Sequence, residues 1–303
     1  MHLSKMEIEQ IRLKVFSVLT KEFKWNIDEI FFIANGVVNA VYLVRERKLG
    51  ELVVRAPWRA DEGSKDKESS DLTSLLKEAT LSQYCYSFNL PVPKVHTLYL
   101  GKDIRFLVSD FVSGDGQHVS DSNIGSLVHA LHNVPVDGLS IIDQGNRTMN
   151  EIVATRLKVR MKELNSVLNT SFHLPSEQEV HAILNTAKFK ESILHLDVRQ
   201  TNMIGENGQV KAIFDWDNAF IGNPIMELMR ISEYKEIDEN EFYIGYRNVE
   251  IIHKTDDLIK NIFRLDTVLM LSLLFKLYVK DEEKFSFYYQ RLQFLLKEIK
   301  KDL

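Results

Sequence analysis

The chain has 303 residues, 45% of them hydrophobic, and 38 Lys and Arg stand against 43 Asp and Glu for a formal net charge of -5. That composition supports one large core or two modest ones and excludes global disorder; the mixed charge excludes a blanket polyanion-binding surface and argues against nucleic acid as a partner. The single cysteine, Cys85, excludes an internal disulfide and a cysteine-rich metal cluster, and no stretch stays apolar for the length a bilayer demands, so a cytoplasmic protein without a membrane partner is expected.

Residues 4–23 carry Ile8, Ile11, Val15 and Val18 at helical spacing, after which the pattern changes to short β-rich runs. FFIANGVVNAVYLV reads as strand, turn and strand, with Asn35-Gly36 as the turn signal, and ELVVRAP supplies a third strand ending at Pro57. The hydrophilic stretch RADEGSKDKESSD reads as a mobile loop. A helix is expected from Leu72 to Phe88; Pro91 and Pro93 then break the chain, and VHTLYL and IRFLVSDFV give two more strands. Five strands with one embedded helix make a small amino-terminal lobe, residues 1–111.

Beyond Gly114 and Gly116 the character becomes helical, and residues 112–303 make the larger lobe. Helical runs are IGSLVHALHNV, Asn150 to Asn165, Glu177 to Phe189 and several near the carboxy terminus. Between Ile193 and Phe214 two short β-like runs instead enclose a turn at Glu206-Asn207-Gly208. A strand-rich lobe joined to a helical one creates a cleft, a common place for ligands.

The chemistry concentrates in SILHLDVRQTNMIGENGQVKAIFDWDNAFIGNP. Asp197 and Asn202 precede the first strand of that expected hairpin and Asp215 ends the second, so folding back at Asn207-Gly208 brings Asn202 and Asp215 to one end. Two such oxygen-bearing side chains suit Mg²⁺, a hard cation that prefers oxygen ligands and usually keeps phosphates in its shell. Asp197 precedes Asn202 by the interval of the kinase catalytic loop, where the aspartate accepts the proton of the attacking hydroxyl. Phosphoryl transfer asks for an aimed nucleophile and neutralised phosphate charge, which these residue types supply.

HLDVRQTN and IFDWDNAFIGNP resemble the hallmark segments of the aminoglycoside phosphotransferase and choline kinase superfamily: His-x-Asp with Asn five positions on, then a strand ending in Asp-Trp/Phe-Glu/Asp. The resemblance implies an α+β, two-lobed protein-kinase-like fold with a small antiparallel sheet and a mainly helical carboxy-terminal lobe. It implies Asp197 as the catalytic aspartate, Asn202 and Asp215 as Mg²⁺ ligands, and His195 as a prop for the loop. It also implies Arg55 on the nucleotide phosphates with Glu78 holding it, the turn at Asn35 and Gly36 covering the phosphates, and the Ser109 carbonyl and Phe111 amide against the base. The nucleotide would be ATP, with GTP left open. The sequence departs from the family's pattern at Leu196, where Gly or Asn is usual, at Arg199 in place of His, and at Asn223 and Glu227 in place of aspartates.

Only a few residues separate Asp215 from the helix expected near Pro224, too few for the peptide platform of protein kinases, so a small-molecule hydroxyl is the expected acceptor: an aminoglycoside, an amino sugar or a related alcohol. A regulatory nucleotide-binding module that has lost turnover, or a kinase of a macromolecule, are the alternatives, and the oligomeric state stays open. The acid-rich run SEYKEIDENEFY reads as a solvated charged surface, while His129 and His132 read as structural and LDTVLMLSLLFKLYV as core.

Overall fold

The computed structural model describes residues 3–35, 39–58 and 71–303; Gly36 of the expected turn and residues 59–70 of the hydrophilic run lie outside them. In chain order the elements are α1 (Lys5–Lys21), β1 (Ile27–Asn35), β2 (Asn39–Glu46), β3 (Gly50–Pro57), α2 (Asp71–Ser87), β4 (Val95–Leu100), β5 (Arg105–Asp110), α3 (Asp121–His132), α4 (Met149–Leu168) and α5 (Glu177–Leu184). There follow β6 (Ser192–Leu194), β7 (Met203–Glu206), β8 (Gln209–Ile213), β9 (Phe220–Gly222), α6 (Pro224–Tyr234), α7 (Glu239–Tyr246), α8 (Glu250–Lys254), α9 (Asp257–Leu273) and α10 (Glu282–Asp302). They form two compact units, the first of Met1–Val119, Ile141–Asp143 and Gln200–Asp217, the second of Ser120–Ser140, Gln144–Arg199 and Asn218–Leu303. Among the described residues no helix is long and apolar enough to cross a membrane.

The first unit is built on an antiparallel sheet of order β1-β2-β3-β5-β4. Strand alternation puts Ala40, Tyr42, Val44, Leu52, Val54 and Ala56 on one face, where they pack with Val15, Val18 and Leu19 of α1. Helix α1 starts at a reciprocal cap in which Ser4 Oγ accepts the Glu7 N–H and the Glu7 carboxylate accepts the Ser4 N–H. On the opposite face Arg55 pairs directly with Leu107 across β3 and β5, and Leu75 and Ala79 of α2 pack against Leu107 and Val95. Helix α2 therefore covers the β4–β5 end of that face and carries Glu78 to Arg55. The hairpin β7–β8 turns through Asn207 and Gly208, both at positive φ, the backbone that a two-residue hairpin turn demands and that Asn-Gly supplies at little cost.

The second unit is mostly helical. Helix α9 packs against α4, α6 and α10, and the expected core run is buried only as far as Leu273, Tyr278 and Val279 at its end being exposed; Asp266 is buried among the apolar residues, bonded to Arg160 at 2.7 Å and Arg156 at 3.4 Å from α4. Strands β6 and β9 pair antiparallel from Ser192↔Gly222 to Leu194↔Phe220, a second small sheet beyond the single hairpin expected between Ile193 and Phe214. The acid-rich run is not one solvated surface. Helix α6 stops at Lys235 in the left-handed region and α7 starts at its Asp238 cap, and Glu233 is 1% exposed because Arg291 takes its carboxylate at 2.7 Å.

Helices α3 and α7 cross at glycines. A Cβ at Gly245 would run into the Ser122 carbonyl, and one at Gly125 into the Phe242 carbonyl, so the missing side chains set how closely the two backbones approach. Gly245→Ala is expected to cost about 1–3 kcal/mol as the helices are forced apart, read as a lowered midpoint in chemical denaturation; a midpoint equal to that of the parent would show that the crossing has slack.

Candidate active site

In the first unit the site grows from the Arg55–Glu78 pair. The Arg55 guanidinium donates to Glu78 Oε1 at 2.7 Å, with side-chain exposures of 18% and 7%. The same carboxylate reaches the hairpin's exit, with Oε1 3.4 Å from the Asp215 N–H and Oε2 accepting the Trp216 N–H at 2.8 Å. Asp215 has φ +72°, a left-handed conformation that a non-glycine residue keeps only when its surroundings hold it. Trp216 beside it is wholly buried, which anchors the chain on the other side.

Carboxylate oxygens of Glu78, Asp215 and Asp217 lie within 4.8 Å of one another. Asp217 is fixed from α2, one turn of which supplies Ser74 Oγ to its Oδ1 at 2.5 Å and Lys77 Nζ to its backbone carbonyl at 2.8 Å; Lys77 also pairs with Asp143 at 2.8 Å. The Phe214 N–H donates to the Asn202 carbonyl at 3.1 Å, which sets Asn202 across from the residue before Asp215. Burial alone would lower the Arg55 pKa, but the charges of Glu78, Asp215 and Asp217 outweigh it and hold the guanidinium above its ordinary value.

The sheet face that carries Arg55 also carries an apolar row. Phe31, Leu43, Val53 and Ser109 are direct partners across β1, β2, β3 and β5, so their side chains share that face; Phe31 is 42% exposed and Leu43 and Val53 are half-buried. Ser109 itself is paired on both sides, to Val53 and to Val95. The Phe111 amide donates to the Glu51 carbonyl at 3.1 Å, so it would have to leave the sheet edge to meet a base. Asn35 ends β1, and Gly36 lies outside the described residues.

In the second unit, His195 is wholly buried and its Nδ1 faces the Asp197 N–H at 3.3 Å. Leu196, between them, has φ +58°, and its N–H donates to Glu227 Oε1 at 2.5 Å. Gly and Asn, the residues the resemblance leads one to expect there, are those that tolerate this backbone. The other Glu227 oxygen bonds His132 Nε2 at 2.9 Å, and His132 Nδ1 meets the Tyr246 hydroxyl at 2.9 Å, so His132 serves the structure. Burial would raise the Glu227 pKa; the hydrogen bond from His132, the nearby histidines and the Leu196 N–H together hold it below its ordinary value. Asp197 Oδ1 lies 3.0 Å from the Tyr234 hydroxyl. Arg199 is held by both oxygens of Glu236, at 3.0 and 2.7 Å.

Of the residues picked from sequence, Arg55, Glu78, Asn202 and Asp215 thus belong to one compact unit and His195 and Asp197 to the other. Asp217, Ser74 and Lys77 were missed, although the Asp-Trp-Asp string shows Asp217 beside Asp215 and one helical turn shows Ser74 and Lys77 beside Glu78. Arg230 and Tyr234, one turn apart on α6, were missed too, since nothing in their local pattern separates them from an ordinary helix face.

The antiparallel five-strand sheet and the mostly helical remainder make the fold α+β and kinase-like. The chain belongs to the APH phosphotransferase enzyme family, whose model matches residues 29–250, and is a small-molecule phosphotransferase of that family. Among solved structures it resembles a protein assigned as a fructosamine-3-kinase from Haemophilus somnus 129PT (17% identity, 96% of this chain and 99% of that one, TM-score 0.66). It also resembles a thermostable mutant of aminoglycoside phosphotransferase APH(4)-Ia in ternary complex with AMP-PNP and hygromycin B (12% identity, 94% and 98%, TM-score 0.62). A third is the GDP complex of an aminoglycoside 2′-phosphotransferase-IIIa mutant (16% identity, 96% and 98%, TM-score 0.59). At these identities the likeness is one of fold. No curated protein sequence matches the chain.

The depressed Glu227 pKa has a pH consequence. Below the ordinary value of 4.5 the unfolded chain takes up this proton before the folded one does, so the stability Glu227 contributes is present above that pH and is lost as pH falls through the folded-state value. Glu227→Gln is expected to be less stable at neutral pH by about 3 kcal/mol, the cost of breaking a buried pair, and to unfold over a flatter acid profile; denaturation midpoints measured across pH for both proteins check this.

Proposed function

We propose that the protein transfers the γ-phosphoryl group of ATP to a hydroxyl of a small molecule: an aminoglycoside, an amino sugar or a related alcohol. The observation that carries this reading is the Arg55–Glu78 pair set among carboxylates, with Glu78, Asp215 and Asp217 oxygens within 4.8 Å of one another. A fixed cation beside a cluster of hard anionic oxygens suits a polyphosphate and its metal. The donors are all oxygen, which fits Mg²⁺ and disfavours a soft metal; Asn202 and Asp215 would hold it, with Asp217 beside them. Mg²⁺ bound there would neutralise charge on the phosphate oxygens. Glu78, already serving three N–H donors, acts as a strut.

Arg55 would take a phosphate oxygen while Glu78 keeps the guanidinium aimed. The row of Phe31, Leu43 and Val53 offers the base an apolar surface, the Ser109 carbonyl would meet its edge, joined by the Phe111 amide once that group leaves the Glu51 carbonyl, and the Asn35-Gly36 turn would cover the phosphates. One relative binds AMP-PNP and another GDP, so both ATP and GTP are to be tried here. Asp197 orients the acceptor hydroxyl and accepts its proton as the new O–P bond forms and the bond to the β-phosphate oxygen breaks, releasing ADP. In this reading residues 1–111 bind the nucleotide and residues 112–303 carry the catalytic loop, the metal ligands Asn202 and Asp215 and the acceptor site, in the cytoplasm, with no nucleic acid or membrane as partner.

The test is consumption of ATP and GTP with a panel of aminoglycosides, amino sugars and simple alcohols. Asp197→Ala should reduce turnover by about 10²–10⁴-fold while leaving Mg-nucleotide binding largely intact by calorimetry. Asp215→Ala should weaken that binding by about 10–100-fold. Turnover that survives Asp197→Ala, or nucleotide binding without transfer to any acceptor, would defeat this reading and leave a regulatory nucleotide-binding module.

A further inference from the structure

We propose that Tyr234 and Arg230 are positioning residues for Asp197, holding its carboxylate through a one-way chain of hydrogen bonds. The proposal rests on the reading of Asp197 as the residue that orients the acceptor. Arg230 and Tyr234 lie four apart on α6 and so share a face. Arg230 Nε donates to the Tyr234 hydroxyl at 2.9 Å, and that hydroxyl lies 3.0 Å from Asp197 Oδ1 and 3.4 Å from the Leu196 carbonyl.

The direction of the chain follows from the chemistry of its ends. A guanidinium has only donors, so the phenol oxygen accepts from Arg230 and has its single proton left to give. The shorter contact gives it to Asp197, and a donor on a carboxylate makes a charge-assisted bond. Burial pushes the Tyr234 pKa up to about 12, the charge of Asp197 adding to the shift and Arg230 opposing it. The phenol therefore keeps its proton at any ordinary working pH: it orients Asp197 and does not exchange protons with it.

Two further observations point the same way. Arg230 is 1% exposed, yet among the described residues its NH2 donates to the Met270 Sδ at 3.0 Å and its NH1 has no hydrogen-bond partner, with the charges of Asp197 and Asp266 acting on it through space. A cation so poorly matched is a costly choice for packing alone, since an apolar side chain of similar volume would fill the space more cheaply. The Tyr234 ring is also clamped, with the Arg199 guanidinium 5.3 Å and the Arg230 guanidinium 5.7 Å from its centroid. Arg199 is in turn fixed by Glu236, so the departure at position 199 becomes part of the same device.

Tyr234→Phe tests this because it keeps the ring and removes only the hydroxyl, whereas variants of buried Arg230 risk failing to fold. With an acceptor found by the panel above, kcat is expected to fall about tenfold, the scale of one hydrogen bond to a charged group, with the KM for nucleotide and the melting temperature close to the parent values. A kcat within about twofold of the parent, or a loss confined to KM, overturns the proposal. A crystal structure of Tyr234→Phe gives the second readout: the Asp197 carboxylate should rotate away from its parental orientation, and an unmoved carboxylate overturns the proposal on geometry. Turnover surviving Asp197→Ala would instead remove the catalytic reading of Asp197, an outcome distinct from either.

Discussion

A carboxylate withdrawn from water must be met by donors, and Glu78 meets three: the Arg55 guanidinium and the backbone N–H groups of Asp215 and Trp216. The donors come from two stretches of chain, β3 and the exit of the β7–β8 hairpin, so this one side chain on α2 ties all three elements together. Removing it would strand the Arg55 cation and two backbone donors at once. Because an unmatched buried polar group costs about 1–3 kcal/mol, the arrangement is held as a set and not as separate contacts.

Glu227 repeats the device in the second compact unit. Its two oxygens serve His132 and the Leu196 N–H. Glu78 and Glu227 have another feature in common: each holds a residue in the left-handed region, Asp215 in one case and Leu196, next to Asp197, in the other. Such backbones cost about 1–3 kcal/mol each and persist only where the surroundings over-determine them. In one unit the strain sits at an aspartate singled out from the sequence and in the other on the residue before one, and in both a buried glutamate stabilises the bend.

The strands of the sheet and the helix between them were readable because their patterns are local: period two in FFIANGVVNAVYLV and ELVVRAP, proline breaks at Pro91 and Pro93, and the Asn-Gly pairs at 35–36 and 207–208. The β6–β9 pair was not, since three-residue strands separated by 25 residues carry no pattern of their own. The acid-rich run misled for a related reason. Composition sees Glu233 among charged neighbours, while its burial depends on Arg291 and Arg264 arriving from distant helices.

What the sequence determined by itself is residue type and spacing. A carboxylate, an amide and a second carboxylate around an Asn-Gly turn permit oxygen-ligand and proton-accepting chemistry and little else, and a strand-borne arginine followed by a helix-borne glutamate permits an ion pair. Only the tertiary structure decided which side chains share a hydrogen bond: that Glu78 reaches Asp215 and Trp216, that Asp217 joins the carboxylate cluster, and that Tyr234 stands on Asp197 with Arg230 behind it. The reason is physical. Propensity and periodicity act over a few residues, whereas a hydrogen bond forms only where donor and acceptor come within about 3 Å, and for groups far apart along the chain that closeness is set by how the whole core packs.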